Sequence, residues 1–280
     1  MKVVITGASG FIGHVIAERL RASGHTVTAV SLRTPPAPQV FAGCGTVVHL
    51  AGEPVAQRWT AAAKERIMNS RVQGTRTLVT ALRQQPPAVL ISASAIGYYG
   101  SRGDEILTEE SPPGSDFLGQ VAVAWEQEAR AAEEFGVRVV TPRIGVVLGR
   151  GGGALQKMAL PFRFGVGGRL GDGKQWTSWI HQDDLVSLVE FSIATPAIRG
   201  AVNAVAPSPV TNANFTRELA MALHRPAIFP VPAAALKLLL GEMSQVVLAS
   251  QRVIPEAAMR AGFQFRFTEV GQALRQIFAA

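Results

Sequence analysis

The sequence predicts an α/β fold, a doubly wound parallel sheet with a small, mainly helical C-terminal lobe. Three observations predict it. A glycine-punctuated turn, Thr6 to Gly13 (TGASGFIG), follows the apolar run Val3-Val4-Ile5 and precedes the amphipathic stretch His14 to Gly24. Short β-branched runs then alternate with helical patterns, the punctuation of βαβ units. After Gly149 the character changes: glycines crowd residues 150–156 and 164–176, and the tail from Thr211 reads as mostly helical.

Taken in order, Lys2–Thr6 is the first strand, and Phe11–Ser23 the helix that the glycine turn opens. Thr26–Ser31 is the second strand. Leu32–Ala42 (LRTPPAPQVFA) holds too many prolines for a helix interior, so a loop replaces one crossover helix there. Thr46–Leu50, Ala88–Ser92 and Arg138–Pro142 continue the strands, and Thr60–Gln84 and Phe117–Glu134 supply helices. Beyond the boundary, residues 179–196 restore a helical pattern and 201–207 (AVNAVAP) read as a strand. Residues 1–150 are therefore expected to form a nucleotide-binding domain, to which residues 176–206 return. Residues 151–280 supply a substrate lobe and a C-terminal helical region.

Composition narrows the function classes. Hydrophobic residues make up 48% and charged residues 17%, enough for a large core and against disorder. The net charge of +7 (27 basic, 20 acidic) suits ligands that carry phosphate. The basic residues are scattered and not interleaved with aromatics, so nucleic acid is not an expected partner. One cysteine, Cys44, cannot staple the fold and fits a reducing compartment. The apolar stretch at the start is too short for an export signal. The richest apolar segment, 228–250, is broken by Pro230, Pro232, Lys237 and Glu242, which argues against a membrane span. The cytoplasm is the expected location.

The chemistry begins at Gly7, Gly10 and Gly13, spaced three apart at a strand–helix junction. Glycines there let the backbone turn tightly and approach a pyrophosphate, which then meets the unpaired amides of the helix N-terminus. Ser9, Phe11 and Ile12 belong to the same dinucleotide-binding turn. An acidic residue about 20 positions on would bind the ribose 2′-hydroxyl of NAD. No Asp or Glu stands between Glu18 and Glu53; the second strand ends in Ser31, Leu32 and Arg33. An arginine there pairs with a 2′-phosphate, so NADP(H) is the expected cofactor; as a solvated loop charge it would not discriminate. The third strand ends HLAGE, placing Leu50, Ala51 and Gly52 beside the dinucleotide. The following helix offers Arg66 and Arg71, of which Arg71 is the better ligand candidate.

Together, TGASGFIG, HLAGE, SASAIGYYG, PRIGVVLGRGGG and WIHQDDL resemble an atypical extended short-chain dehydrogenase/reductase, within its epimerase-family, nucleoside-diphosphate-sugar epimerase-like group. The resemblance spans nearly the whole chain. It implies a Rossmann domain, a small C-terminal substrate lobe and bound NADP(H), with Ser31, Leu32, Arg33, Leu50, Ala51, Arg71 and Val147 along the cofactor. It also implies a small carbonyl or hydroxyl substrate, with nucleotide sugars among the candidates, and a homodimer as a common assembly.

Active members of that superfamily pair a Tyr with a Lys four residues on, assisted by a Ser or Thr. Here the only tyrosines, Tyr98 and Tyr99, are followed at that spacing by Arg102 and Gly103. On the helix that should carry the pair, the spacing falls on Phe117/Val121 or Leu118/Ala122, none of which moves a proton. Ser94 stands where the superfamily's Ser or Thr stands, so Ser94, Tyr98 and Tyr99 are the catalytic candidates. Two functions stay open: an NADP(H)-dependent oxidoreductase or epimerase, and a non-catalytic NADPH-binding sensor or partner-binding module. His181, Asp183 and Asp184 suggest helix capping by Asp rather than a metal site. Trp125, Trp176 and Trp179 read as packing residues, with Trp176 a candidate for the cleft wall. Gly151–Gly153 and the glycines of 164–176 are cleft loops or tight turns. Lys157, Arg163 and Arg169 stand where a sugar-nucleotide diphosphate would be met.

Overall fold

The computed structural model describes residues 1–279. The chain opens with β1 (Lys2–Thr6), α1 (Phe11–Ala22), β2 (Thr26–Val30), β3 (Cys44–His49), α2 (Ala61–Leu82) and β4 (Val89–Ser92), and β5 (Ser94–Ala95) follows directly. Next come β6 (Ile106–Leu107), α3 (Phe117–Arg130), β7 (Arg138–Ile144), β8 (Val146–Leu148) and α4 (Gly153–Arg163). The second half holds β9 (Trp176–Thr177), β10 (Trp179–His181), α5 (Gln182–Ala194), β11 (Gly200–Ala204), β12 (Val210–Thr211) and α6 (Asn212–Leu223). It ends with α7 (Ala233–Leu240), α8 (Ser244–Leu248), β13 (Arg252–Val253), α9 (Glu256–Arg260) and α10 (Val270–Phe278).

A seven-stranded sheet runs β11-β7-β4-β3-β1-β2, with β5 also on β7, and its pairings are parallel. The pleat divides β1 between two cores: Val3 and Ile5 pack with Ile16 and Leu20 of α1 and Val186 and Val189 of α5, whereas Val4 packs with Leu78 and Leu82 of α2 and Ala129 of α3. Both faces are covered, which is why the strands read as continuous apolar runs. The expected loop over Leu32–Ala42 holds only a 3-10 turn, Pro38–Phe41, that buries Phe41. The chain therefore leaves β1 for β2 and returns to the far side of β1 as β3. Their carboxyl ends flank the switch point, where open α/β sheets bind ligands.

Strand β11 joins the sheet edge beside β7, and α5 packs on α1, so segments of the second half complete the first unit. The later stretch around α9 does so as well, placing Ala258 and Phe263 in the large core. A separate core unites Leu155 and Phe162 of α4, Phe215 and Leu219 of α6, and Leu274 and Ile277 of α10. Asp184 links the two units, its carboxylate accepting the backbone N–H groups of Arg266 and Phe267 at 2.9 Å each.

Candidate functional site

The switch-point cleft has a volume of about 1040 Å³ and runs from Gly7, Ser9 and Gly10 past Ser31, Leu32 and Arg33 to Leu50, Ala51 and Gly52. Its floor depends on missing side chains. Gly7 has φ +75°, and a Cβ there would reach 2.8 Å from the backbone of Ala51; a Cβ on Gly13 would collide with the carbonyl oxygen of Gly7. Gly10 caps α1 without a side-chain hydrogen bond, and no acidic residue stands in the first turn. The leading amides of α1 are thus left for an anion. Arg33 is exposed on the rim and makes no ion pair among the described residues. This arrangement fits a dinucleotide.

The structure redistributes part of the expected cofactor set. Phe11 and Ile12 contribute backbone at the turn, but their side chains pack against the large core. Gly152 and Gly153 lie so close to Phe11 that a Cβ on either would come within 2.7 Å of its ring. Val147 is buried in that core and lines neither cavity; its neighbour Val146 lines the inner pocket. The pleat, not the motif, decides which of the two side chains faces the site. Sequence reading missed Asn69, Gln73 and Thr77, which line the cleft from α2. Their spacing of four on a helix is a signal that periodicity could have found.

Beyond the cleft lies an inner pocket of about 250 Å³, bordered by Trp59, Phe117, Leu118, Val121, Ala122 and Trp125, with Ile144, Gly145 and Val146 behind. Arg71 lines this pocket, and a Cβ on Gly52 of the outer cleft would meet its guanidinium at 3.4 Å. One of its terminal nitrogens donates to the carbonyls of Glu53 (3.0 Å) and Ile67 (3.2 Å), and its guanidinium lies 5.0 Å from the Trp125 ring centroid. Burial pushes its pKa down to about 10, despite the charge of nearby Glu53. His49, at the end of β3, is fully buried, with ring nitrogens 2.6 Å from the Thr6 hydroxyl and 2.9 Å from that of Thr75. Burial, helped by the charge of Arg71, lowers its pKa to about 4 and keeps it neutral.

Ser94, Tyr98 and Tyr99 do not line either cavity. Arg143 and Glu126, 2% and 3% exposed, form a two-pronged ion pair at 2.8 and 2.9 Å. Ser94 donates to the same carboxylate at 2.7 Å. Tyr99 accepts from Arg143 at 3.0 Å and donates to Asn203 at 2.6 Å, with burial pushing its pKa up to about 12. Tyr98 lies under the Arg143 guanidinium, 3.4 Å from it. A buried ion pair needs its remaining hydrogen-bonding capacity satisfied, and the Ser94 and Tyr99 hydroxyls do that. The geometry places the three catalytic candidates in this network. Only their neighbours Ala95, Ile96 and Gly97 reach the inner pocket.

Residues 3–204 match the sequence profile of the NAD dependent epimerase/dehydratase family. The chain belongs to that family. Residues 231–277 match a second profile, a domain of unknown function (DUF1731). The chain is 40% identical to the epimerase family protein SDR39U1 homolog, chloroplastic, of Arabidopsis thaliana, over 99% of this chain and 86% of that protein. It superposes on the crystal structure of human epimerase family protein SDR39U1 (isoform2) with NADPH at a TM-score of 0.91, with 35% identity over 100% of this chain and 99% of that one. MoeE5 in complex with UDP-glucose and NAD shares the fold, with a TM-score of 0.83 and 22% identity over 100% and 98% of the two chains.

Other residues singled out in this epimerase/dehydratase family member have defined places. His181, not an Asp, caps α5, its ring accepting the Asp183 N–H at 3.1 Å while the other nitrogen meets Gln276 at 3.0 Å. Trp176 donates to Asp104 at 2.6 Å, and Trp179 is fully buried. Gly167 and Gly168 pack against the Phe162 ring and the Phe229 backbone, so closely that a Cβ on either would collide. Lys157 reaches the carbonyl of Ala56 at 3.2 Å, and Arg169 lines a different, outer groove with Arg217 and Arg225. Among the described residues, no helix is long and apolar enough to cross a membrane.

Proposed function

We propose that this chain binds NADP(H) in the switch-point cleft and acts as an oxidoreductase on a small molecule in the inner pocket. The observation that carries the reading is Arg33, an unpaired cation at the end of β2 where an NAD-selective site would hold a carboxylate. The NADPH in the human relative's crystal structure supports it. Gly7, Ser9, Gly10, Phe11, Ile12 and Gly13 would hold the pyrophosphate through backbone groups. Ser31, Leu32 and Arg33 would hold the phosphorylated ribose, and Leu50, Ala51 and Gly52 the adjoining wall. Arg71 and the strand of Val146 and Val147 would stand at the nicotinamide end. Residues 1–150 with 176–206 form the NADP-binding domain in this reading, and the rest of 151–280 the substrate lobe.

Bound NADPH supplies a hydride to a substrate carbon. The residues around the pocket exclude water, and Arg71 sets a positive potential within it. The Tyr and Lys dyad has no counterpart there: Phe117, Leu118, Val121 and Ala122 occupy its positions as apolar walls. That observation favours the second reading, a non-catalytic NADPH-binding sensor. Titration of cofactor-free protein with NADPH and NADH, followed by nicotinamide fluorescence, tests the binding. Consumption of bound NADPH against small carbonyl compounds, nucleotide sugars among them, tests the chemistry. Tight NADPH and weak NADH binding with turnover supports the enzyme; the same binding with no turnover supports the sensor; equal affinities overturn the role of Arg33.

A further inference from the structure

The outer groove of the lobe, about 900 Å³, shares no lining residue with the cofactor cleft or the inner pocket. Helical spacing builds one wall: Ala213, Arg217, Ala220, Met221 and His224 stand on one face of α6, while Phe215 and Leu219 on the other face pack in the lobe core. The segment 227–230 forms the opposite wall. A short parallel pairing holds it in place: Leu170 bridges to Val231, the Val231 N–H donates to the Arg169 carbonyl at 2.8 Å, and the Phe229 N–H donates to that of Gly167 at 3.2 Å. The floor is short and apolar, with Ala213, Ala220 and Ala227. Met221 is 50% exposed and Ile228 66%, and large apolar side chains grouped in water mark interaction sites. The charge is one-sided. Arg169, Arg217 and Arg225 line the groove with His224, and no Asp or Glu does. Arg169 and Arg225 make no ion pair among the described residues. Arg217 lies 3.3 Å from Glu218, which is outside the lining and 4.0 Å from Arg275. Most of the lining is exposed, so the groove encloses too little of a small molecule, whose sites bury most of the ligand surface. A flat bilayer does not reach a floor set between two walls. A helix does: the alanines of α6 admit a second backbone at the roughly 8–10 Å of packed helices.

We propose that this groove docks an amphipathic helix of a partner protein, apolar on one face and acidic along its edges. The apolar face covers Met221, Ile228 and the alanine floor, and the carboxylates meet Arg169, Arg217 and Arg225. The same charges disfavour a second copy of this chain, because a two-fold contact would set the groove's arginines against themselves. Cofactor binding plays no part in this docking, so NADPH affinity serves as its control.

Fluorescence anisotropy on the full chain provides the readout. The probe is a labelled helical peptide of about 18 residues, or five turns, with Leu and Phe on one face and Glu elsewhere. Its twin carries Lys in place of every Glu. The acidic peptide is expected to bind at least tenfold more tightly than the lysine twin, and to weaken as salt is raised. Arg217→Glu combined with Arg225→Glu is expected to cost at least tenfold, and so is Met221→Ser combined with Ile228→Ser. All four side chains are exposed, so both variants are expected to fold and to keep NADPH affinity within about twofold. Equal binding of the two peptides, or no binding of the acidic one, overturns the proposal. So does binding that both double variants retain, which puts the peptide elsewhere. Two further results overturn it by naming another occupant. Sedimentation with vesicles of phosphatidylserine and phosphatidylcholine, lost in Met221→Ser with Ile228→Ser, assigns the face to a membrane. A dimer by light scattering that Arg217→Glu with Arg225→Glu converts to a monomer assigns it to a second copy.

Discussion

Arg143 grips both carboxylate oxygens of Glu126, Nε to Oε1 at 2.8 Å and Nη2 to Oε2 at 2.9 Å, with both side chains almost fully buried. The pair ties β7 to α3, and the adjoining residues Ile144 and Trp125 line the inner pocket. Removing one partner strands a charge in the interior, which costs about 3–5 kcal/mol. Arg143→Met is therefore expected to lower the urea midpoint sharply, and the double change Glu126→Gln with Arg143→Met to cost less than Arg143→Met alone. Equilibrium unfolding of the three proteins checks this; a double variant no better than the single one counts against the ion-pair account.

The Tyr99 hydroxyl completes that pair, so its loss is expected to appear in stability. Tyr99→Phe leaves Arg143 and Asn203 each short of a partner, at a cost of about 1–3 kcal/mol, with NADPH affinity unchanged. The phenol also gives an alkaline signature. Burial raises its pKa to about 12 in the fold, from 10.0, so the protonated form is favoured by folding. That stability is complete below pH 10 and is lost as pH rises towards 12. The stability gap between the native protein and Tyr99→Phe should narrow over this window. Once a turnover assay exists, a hundredfold drop in Tyr99→Phe would restore the tyrosine to acid–base work.

His49 gives the opposite slope in acid. Its pKa falls from 6.5 to about 4 on folding, chiefly because the ring is buried, with the Arg71 charge adding to the effect. The unfolded chain takes up a proton first. The stability tied to neutral His49 is full above pH 6.5 and disappears as pH falls to 4, a change of about 3 kcal/mol at ~1.4 kcal/mol per unit. His49→Gln keeps a hydrogen-bonding side chain but cannot titrate. Subtracting its pH–stability curve from the native one should isolate this slope, since the carboxylates are common to both. Parallel curves from pH 6.5 to 4 would mean that His49 is hydrated or charged in the fold.

The sheet was legible in the sequence because burial on both faces forces continuous β-branched runs, and Val3-Val4-Ile5 is one. The floor of the cleft was legible because only glycine fits at Gly7 and Gly13, a demand that spacing records directly. The inner site was less so. Val146 and Val147 are chemically alike, and the strand's pleat alone separates the pocket wall from the core. Ser94 and Tyr99 stood at catalytic positions, yet their hydroxyls answer a buried ion pair, Ser94 at Glu126 of α3 and Tyr99 at Arg143 of β7, far away in sequence. Arg143, set between Pro142 and Ile144 after the apolar Val139-Val140, was itself a signal: a charge in a buried strand demands partners. The return of Ala258 and Phe263 to the large core has no local signature at all.

Arg33 separates the two cofactors in a single substitution. It stands exposed at the cleft rim, with its backbone N–H on the Ser31 hydroxyl at 3.2 Å, which holds the turn after β2. A charged hydrogen bond to a 2′-phosphate contributes about 1.5–3 kcal/mol, so Arg33→Ala is expected to weaken NADPH binding roughly tenfold to a hundredfold. NADH, with no charge at that position, should bind the variant as it binds the native protein. Arg33→Glu should go further and repel the phosphate. Because the site is open to solvent, added salt should shrink the NADPH advantage of the native protein, as screening shortens the reach of an exposed charge to about 10 Å at 0.1 M. Fluorescence titrations of both nucleotides at two salt concentrations measure all of this. If Arg33→Ala weakens NADPH and NADH to the same degree, the arginine shapes the turn and does not read the phosphate.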